Sequence, residues 1–123
     1  MSKEKIIKAV NSALAYLNYA VNSKTKDSKE NVYMLTWKAS SDLEYALFLF
    51  SLIFINEKAK ASWKLLSRQP DINSTIISSR NTLKEVIENL NEDNFDEAFK
   101  KTWITKGQLL RINDFFEKER VKD

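Results

Sequence analysis

The chain has 123 residues, 43% of them apolar and 30% charged, with a net charge of +3 and a pI near 9.0. That is the composition of one globular domain with enough length to close a single core, and it excludes an intrinsically disordered chain. No cysteine and no histidine occur, which excludes disulfides, thiolate chemistry, Cys-ligated zinc or iron–sulfur sites, and the commonest general base.

One glycine (Gly107) and one proline (Pro70) leave hairpins and sharp loops without their usual residues. Lys, Glu, Leu and Ala are abundant and lose little rotamer freedom in a helix, so the expected fold is all-α. A first helix is expected from about Lys3 to Val21, with Ile7, Val10, Leu14, Leu17 and Val21 as its apolar seam. Asn22 to Glu30 is polar, Lys- and Ser-rich and aperiodic, and reads as the longest loop. A second helical region starts near Asn31 and keeps helical spacing toward Ser67. Ser41-Asp42-Leu43-Glu44 fits a capping box, so a kink or short break is expected near Ser40, with a second candidate near Asn56.

Pro70 ends that region. A third helix is expected over Ser74 to Leu90, capped by Asn73 or Ser74, with Ile76, Ile77, Leu83, Val86, Ile87 and Leu90 on one face. A turn at Asn91 to Asn94 leads to a fourth helix from Phe95 to about Thr105. Gly107 suits a helix C-cap, and a fifth helix would occupy Leu109 to about Arg120. The expectation is a single domain over residues 1–123, an antiparallel bundle of four to five helices with the Leu43–Ile55 helix at its centre.

The run Tyr45 to Ile55 is apolar all around the helix, which leaves two readings open. It is either the central core helix, or core on one side and an oligomer or partner interface on the other. The apolar stretch from Leu43 to Ile55 contains Glu44 and Ser51 and is too short to span a bilayer. Met1-Ser2-Lys3-Glu4-Lys5 lacks the features of a signal peptide, so a cytoplasmic protein without membrane contact is expected.

Glu92, Asp93, Asp96 and Glu97 cluster, but their spacing lacks the turn glycine and the twelfth-position Glu of an EF-hand. Acidic side chains in a first helical turn are what the macrodipole favours, so no metal is expected there. Lysines recur at 3, 5 and 8 and again at 24, 26 and 29. A third basic group, Lys58, Lys60, Lys64 and Arg68, interleaves with Trp63 and is the candidate nucleic-acid footprint. Trp63 also continues the apolar seam through Phe50 and Ile53, which favours a core tryptophan flanked by solvated lysines.

For catalysis, no nucleophile elbow, Ser-x-x-Lys pair with supporting residues or phosphate loop occurs, and neither an enzyme nor a cofactor is expected. The third class left open, an enzyme using carboxylates and a metal, would need two or more acidic side chains to converge in one pocket. Helical nucleases of the HEPN type use an Arg with a nearby His, so a HEPN-like fold lacking histidine would be inactive.

Near the C-terminus stands Gln108-Leu109-Leu110-Arg111-Ile112-Asn113-Asp114-Phe115-Phe116. This segment resembles the sliding-clamp-binding peptide of replication and repair proteins: Gln, two residues, an aliphatic, two residues, two aromatics. The resemblance makes Ile112 the aliphatic plug and Phe115 and Phe116 the aromatic pair. Leu109 stands where the pattern has Gln, with Gln108 one residue too early. It implies a partner-binding segment at 108–117, and Leu109, Ile112, Phe115 and Phe116 as its contact residues. The alternative is that Leu109, Ile112 and Phe116 form the inner face of the last helix. The expected function is therefore a non-enzymatic interaction or adaptor subunit with a protein partner, which the resemblance makes a sliding clamp in DNA replication or repair. A nucleic-acid-binding accessory protein is the alternative, and homo-oligomerisation is left open. Phe48, Phe54 and Trp37 are the next candidate contacts.

Overall fold

The computed structural model describes residues 2–22, 28–53 and 71–121. Among these the chain is helical in four elements: α1 (Ser2–Asn22), α2 (Ser28–Ile53), α3 (Ile72–Asn91) and α4 (Phe95–Val121). No strand occurs among the described residues.

Each helix buries one row of residues that steps by three and four. On α1 the row is Ile6, Val10, Ala13, Leu17 and Ala20, and on α2 it is Val32, Thr36, Ala39, Leu43, Ala46 and Phe50. On α3 it is Ile76, Ser79, Leu83, Val86 and Leu90, and on α4 it is Ala98, Thr102, Thr105, Leu109, Ile112 and Phe116. Alternating steps keep a single narrow stripe facing the neighbours along the whole helix. Covering a large aliphatic side chain in such a stripe contributes about 1.5–3 kcal/mol. On α1 Val10 and Leu17 are buried as expected, and Ile6, Ala13 and Ala20 complete the seam in place of Ile7, Leu14 and Val21. Ile7, Leu14 and Val21 pack half-buried beside it.

Among the described residues the most extensive helix contacts are α1 with α2, α1 with α3, α4 with α2, and α4 with α3. The four therefore stand at the corners of a quadrilateral, and α2 is a corner helix. This corrects the expectation of a central helix: through Ile53, where its described part ends, α2 has one face toward the core and one outward. Along the contact of α2 with α4, the Tyr33 hydroxyl donates to the Glu117 carboxylate. The Thr36 hydroxyl donates to Asn113 Oδ1 at 2.7 Å, Lys106 Nζ lies 3.9 Å from Glu44, and the rings of Phe50 and Phe99 are 5.4 Å apart. Rising numbers on α2 meet falling numbers on α4, so these two helices run in opposite directions.

Several boundaries differ from the expectation. α2 begins at Ser28, so the last three residues of the expected Asn22–Glu30 loop are helical. There is no break near Ser40, because the seam of α2 passes through it: Ser40 is buried and its hydroxyl donates to the Trp37 carbonyl at 2.8 Å. The second candidate break, near Asn56, lies outside the described residues. The expected fourth and fifth helices are one helix, α4, about 40 Å long. Gly107 sits inside it, half-buried, and no glycine has positive φ.

The left-handed position that ends α3 belongs instead to Asp93, with φ 59°. Asn94 N–H bonds the Asn89 carbonyl (2.8 Å) and Asp93 N–H the Leu90 carbonyl (3.1 Å), the Schellman pattern. At its other end α3 is capped by Asp71, not by Asn73 or Ser74. Asp71 is extended, its carbonyl accepts from Thr75 N–H, and its carboxylate accepts from the Ser74 hydroxyl at 2.7 Å.

Candidate partner-binding surface

Opposite its core seam, α2 carries a second apolar row. Met34, Trp37, Ser41, Tyr45, Phe48 and Leu52 step by three and four along the outward side, about 27 Å from end to end. Trp37 is 53% exposed, Phe48 58% and Leu52 62%, and Met34, Tyr45 and the neighbouring Ile53 are exposed to a similar degree. Three aromatics covering about 150–250 Å² each and three somewhat smaller aliphatics, all about half exposed, amount to roughly 500–600 Å² of apolar surface. That is the top of the range found on monomers, where the largest patches are commonly functional. Charges border the row sparsely. Lys38 on one side lies 5.8 Å from the centre of the Tyr16 ring, and Glu44 stands on the other.

At the N-terminal end of this row the surface is indented. Tyr19 of α1 with Asn31, Met34, Leu35 and Lys38 of α2 lines an open hollow of about 360 Å³. Tyr19 is 71% exposed and forms one wall of it.

The residues of the clamp-peptide resemblance lie elsewhere. Leu109, Ile112 and Phe116 are buried in the α4 seam, and Phe115 is half-buried against the same core. The Phe116 ring packs edge-on against Tyr33 (6.1 Å) and Phe115 (5.9 Å), and both meet the α2–α4 contact. Between Leu109 and Phe116, Asn113 is buried as well and engaged with Thr36. A clamp could take these side chains into its pocket after the end of α4 had left the bundle, at the cost of the core they form.

Of the remaining candidates, Phe54, Lys58, Lys60, Trp63, Lys64 and Arg68 lie outside the described residues. Glu92, Asp93, Asp96 and Glu97 are exposed, and Asp93 accepts from Lys3 Nζ at 2.9 Å. Among the described residues no three acidic side chains converge as a metal site would require. No helix among the described residues is long and apolar enough to cross a membrane. Trp37 and Phe48 were legible as candidate contacts, and Tyr45 and Leu52 only as members of the apolar run Tyr45 to Ile55, whereas Met34 was not singled out. The signal that finds them is the second three-and-four spacing, offset by half a helix turn from the first.

Set against known protein families, curated proteins and solved structures, the chain matches none of them.

Proposed function

We propose that this chain is a non-enzymatic interaction subunit that works by helix-mediated contact, with the outward row of α2 as its docking face. One observation carries the reading: a helix already committed to the core on one side exposes large aromatic and aliphatic side chains in register on the other. Exposed aromatics in a contiguous row are the residues that anchor protein partners. The absence of histidine and cysteine and the single glycine leave few of the usual means of catalysis, which supports a binding role. In this reading the four helices form one antiparallel bundle, supported by the opposed order of contacts between α2 and α4.

The test is affinity capture from the source cells with wild type, Phe48→Glu, and Phe115→Ala combined with Phe116→Ala. Loss of the dominant partner with folded Phe48→Glu supports docking through α2. Loss with a folded Phe115→Ala, Phe116→Ala variant, and retention with Phe48→Glu, would transfer the docking role to the clamp-like segment and a sliding-clamp partner. Capture that is sensitive to nuclease and falls steeply with salt would favour the nucleic-acid-associated alternative instead.

A further inference from the structure

We propose that the occupant of the α2 docking face is a second copy of this chain, packed with its own α2 antiparallel across a two-fold axis near Leu43. The inference rests on the docking-face reading and adds the partner and its geometry.

Self-complementarity is the first argument. In an antiparallel pair related by a two-fold axis, residues equidistant from the axis on opposite sides meet. With the axis at Leu43, Met34 faces Leu52 of the second copy, Ser41 faces Tyr45, and Lys38 faces Phe48. Small meets large at the centre, where Ser41 leaves room for the tyrosine ring. The lysine stem with its ammonium lies over an aromatic, a favourable contact for both parts of the side chain. This register brings Glu44 close to Asp42 and Glu44 of the second copy, a repulsion reduced by Lys106, which lies 3.9 Å from Glu44 within the same chain.

Knob and hollow supply the second argument. The exposed aliphatics Leu52 and Ile53 stand at one end of the row. The open hollow of about 360 Å³ lies at the other end, centred near Met34 and Leu35 and bounded by Tyr19. Both lie on the same side of α2, and the axis near Leu43 carries one onto the other. Each copy then inserts Leu52 and Ile53 into the hollow of its partner, twice per dimer. Area is the third argument. Roughly 500–600 Å² per copy gives roughly 1,000–1,200 Å² in total, the lower end of specific interfaces and above most lattice contacts. An interface of this size fits a reversible dimer.

The chain has no cysteine, so single-cysteine spin labels report on one position each. Labels at Glu44→Cys and Ser51→Cys lie on the same rim of α2, outside the row. About an axis at Leu43, antiparallel packing offsets the two copies along the helix by roughly 3 Å at position 44 and roughly 24 Å at position 51. The expected result is a dimer by sedimentation at high micromolar concentration, with a short 44–44 distance and a 51–51 distance longer by roughly 15–20 Å. Phe48→Glu on α2 and Tyr19→Glu on α1 should both shift it to monomer while keeping the wild-type helical signal. Equal distances at the two positions, or a dimer that survives both substitutions, would overturn the proposal. A wild type that is monomeric at these concentrations would overturn it too. If that monomer loses a cellular protein or phospholipid vesicles on Phe48→Glu, the docking face stands and the second copy is wrong. If it loses neither, both fail.

Discussion

Thr36 and Asn113 place a hydroxyl and an amide together inside an otherwise apolar α2–α4 contact, 2.7 Å apart and both buried. The Thr36 hydroxyl is also 2.9 Å from the Val32 carbonyl, whereas Asn113 Nδ2 has no partner among the described residues. Thr36→Val keeps the shape and strips the amide of this contact, so it should lower stability by about 1–3 kcal/mol. Adding Asn113→Leu replaces both polar partners and should recover most of that loss. Urea unfolding of the two single variants and the double one gives the coupling directly. Asp93 is the other residue with a local cost, since a side chain in the left-handed region is disfavoured even though Asp tolerates it better than most. Asp93→Gly should stabilise by up to about 1 kcal/mol, less the small contribution of its exposed contact with Lys3.

At the scale of elements, α1 and α3 were legible to within two residues because seam and polar flanks agree. The other two helices misled for one reason: local punctuation was weighed above the long-range seam. Ser41 to Glu44 has the spacing of a cap, and Gly107 is the residue a helix end favours, yet both lie where a four-three rhythm continues unbroken. On α4 that rhythm runs Ala98, Thr102, Thr105, Leu109, Ile112, Phe116, and two threonines at core positions disguise it. The Thr102 hydroxyl is satisfied inside the helix by the Ala98 carbonyl at 2.7 Å, which makes a polar residue acceptable there. If Gly107 were a left-handed cap, alanine would destabilise. In the continuous α4, Gly107→Ala should raise stability by about 0.5–1 kcal/mol in chemical denaturation. Ile112→Ala should cost about 2–5 kcal/mol, as a fully buried aliphatic does, and lower the melting temperature accordingly.

For the whole molecule, the apolar run of α2 is the feature whose meaning depends most on architecture. Sequence showed a helix apolar on all sides and left open whether it was central or half an interface. A quadrilateral of four described helices has no central position, so one side of α2 must face outward. The basic group at Lys58 to Arg68 was equally visible in sequence, but a footprint needs a surface to lie on, and charge spacing alone does not supply one. The clamp-like segment shows the converse limit. A pattern of aliphatic and aromatic residues at helical spacing is shared by docking peptides and core helices, and burial, which decides between them, is a property of the assembled bundle.

In the proposed assembly α2 has two apolar faces, one closed by the fold and one closed by association. The most direct measurement is the melting temperature of wild type and Phe48→Glu over a hundredfold range of protein concentration. Association that stabilises the folded state makes the midpoint rise with concentration. Wild type should therefore rise, while Phe48→Glu should stay flat at the dilute wild-type value. A wild-type midpoint independent of concentration would contradict self-association. A Phe48→Glu midpoint far below the dilute wild-type value would contradict the two-faced helix itself, by showing that Phe48 belongs to the core.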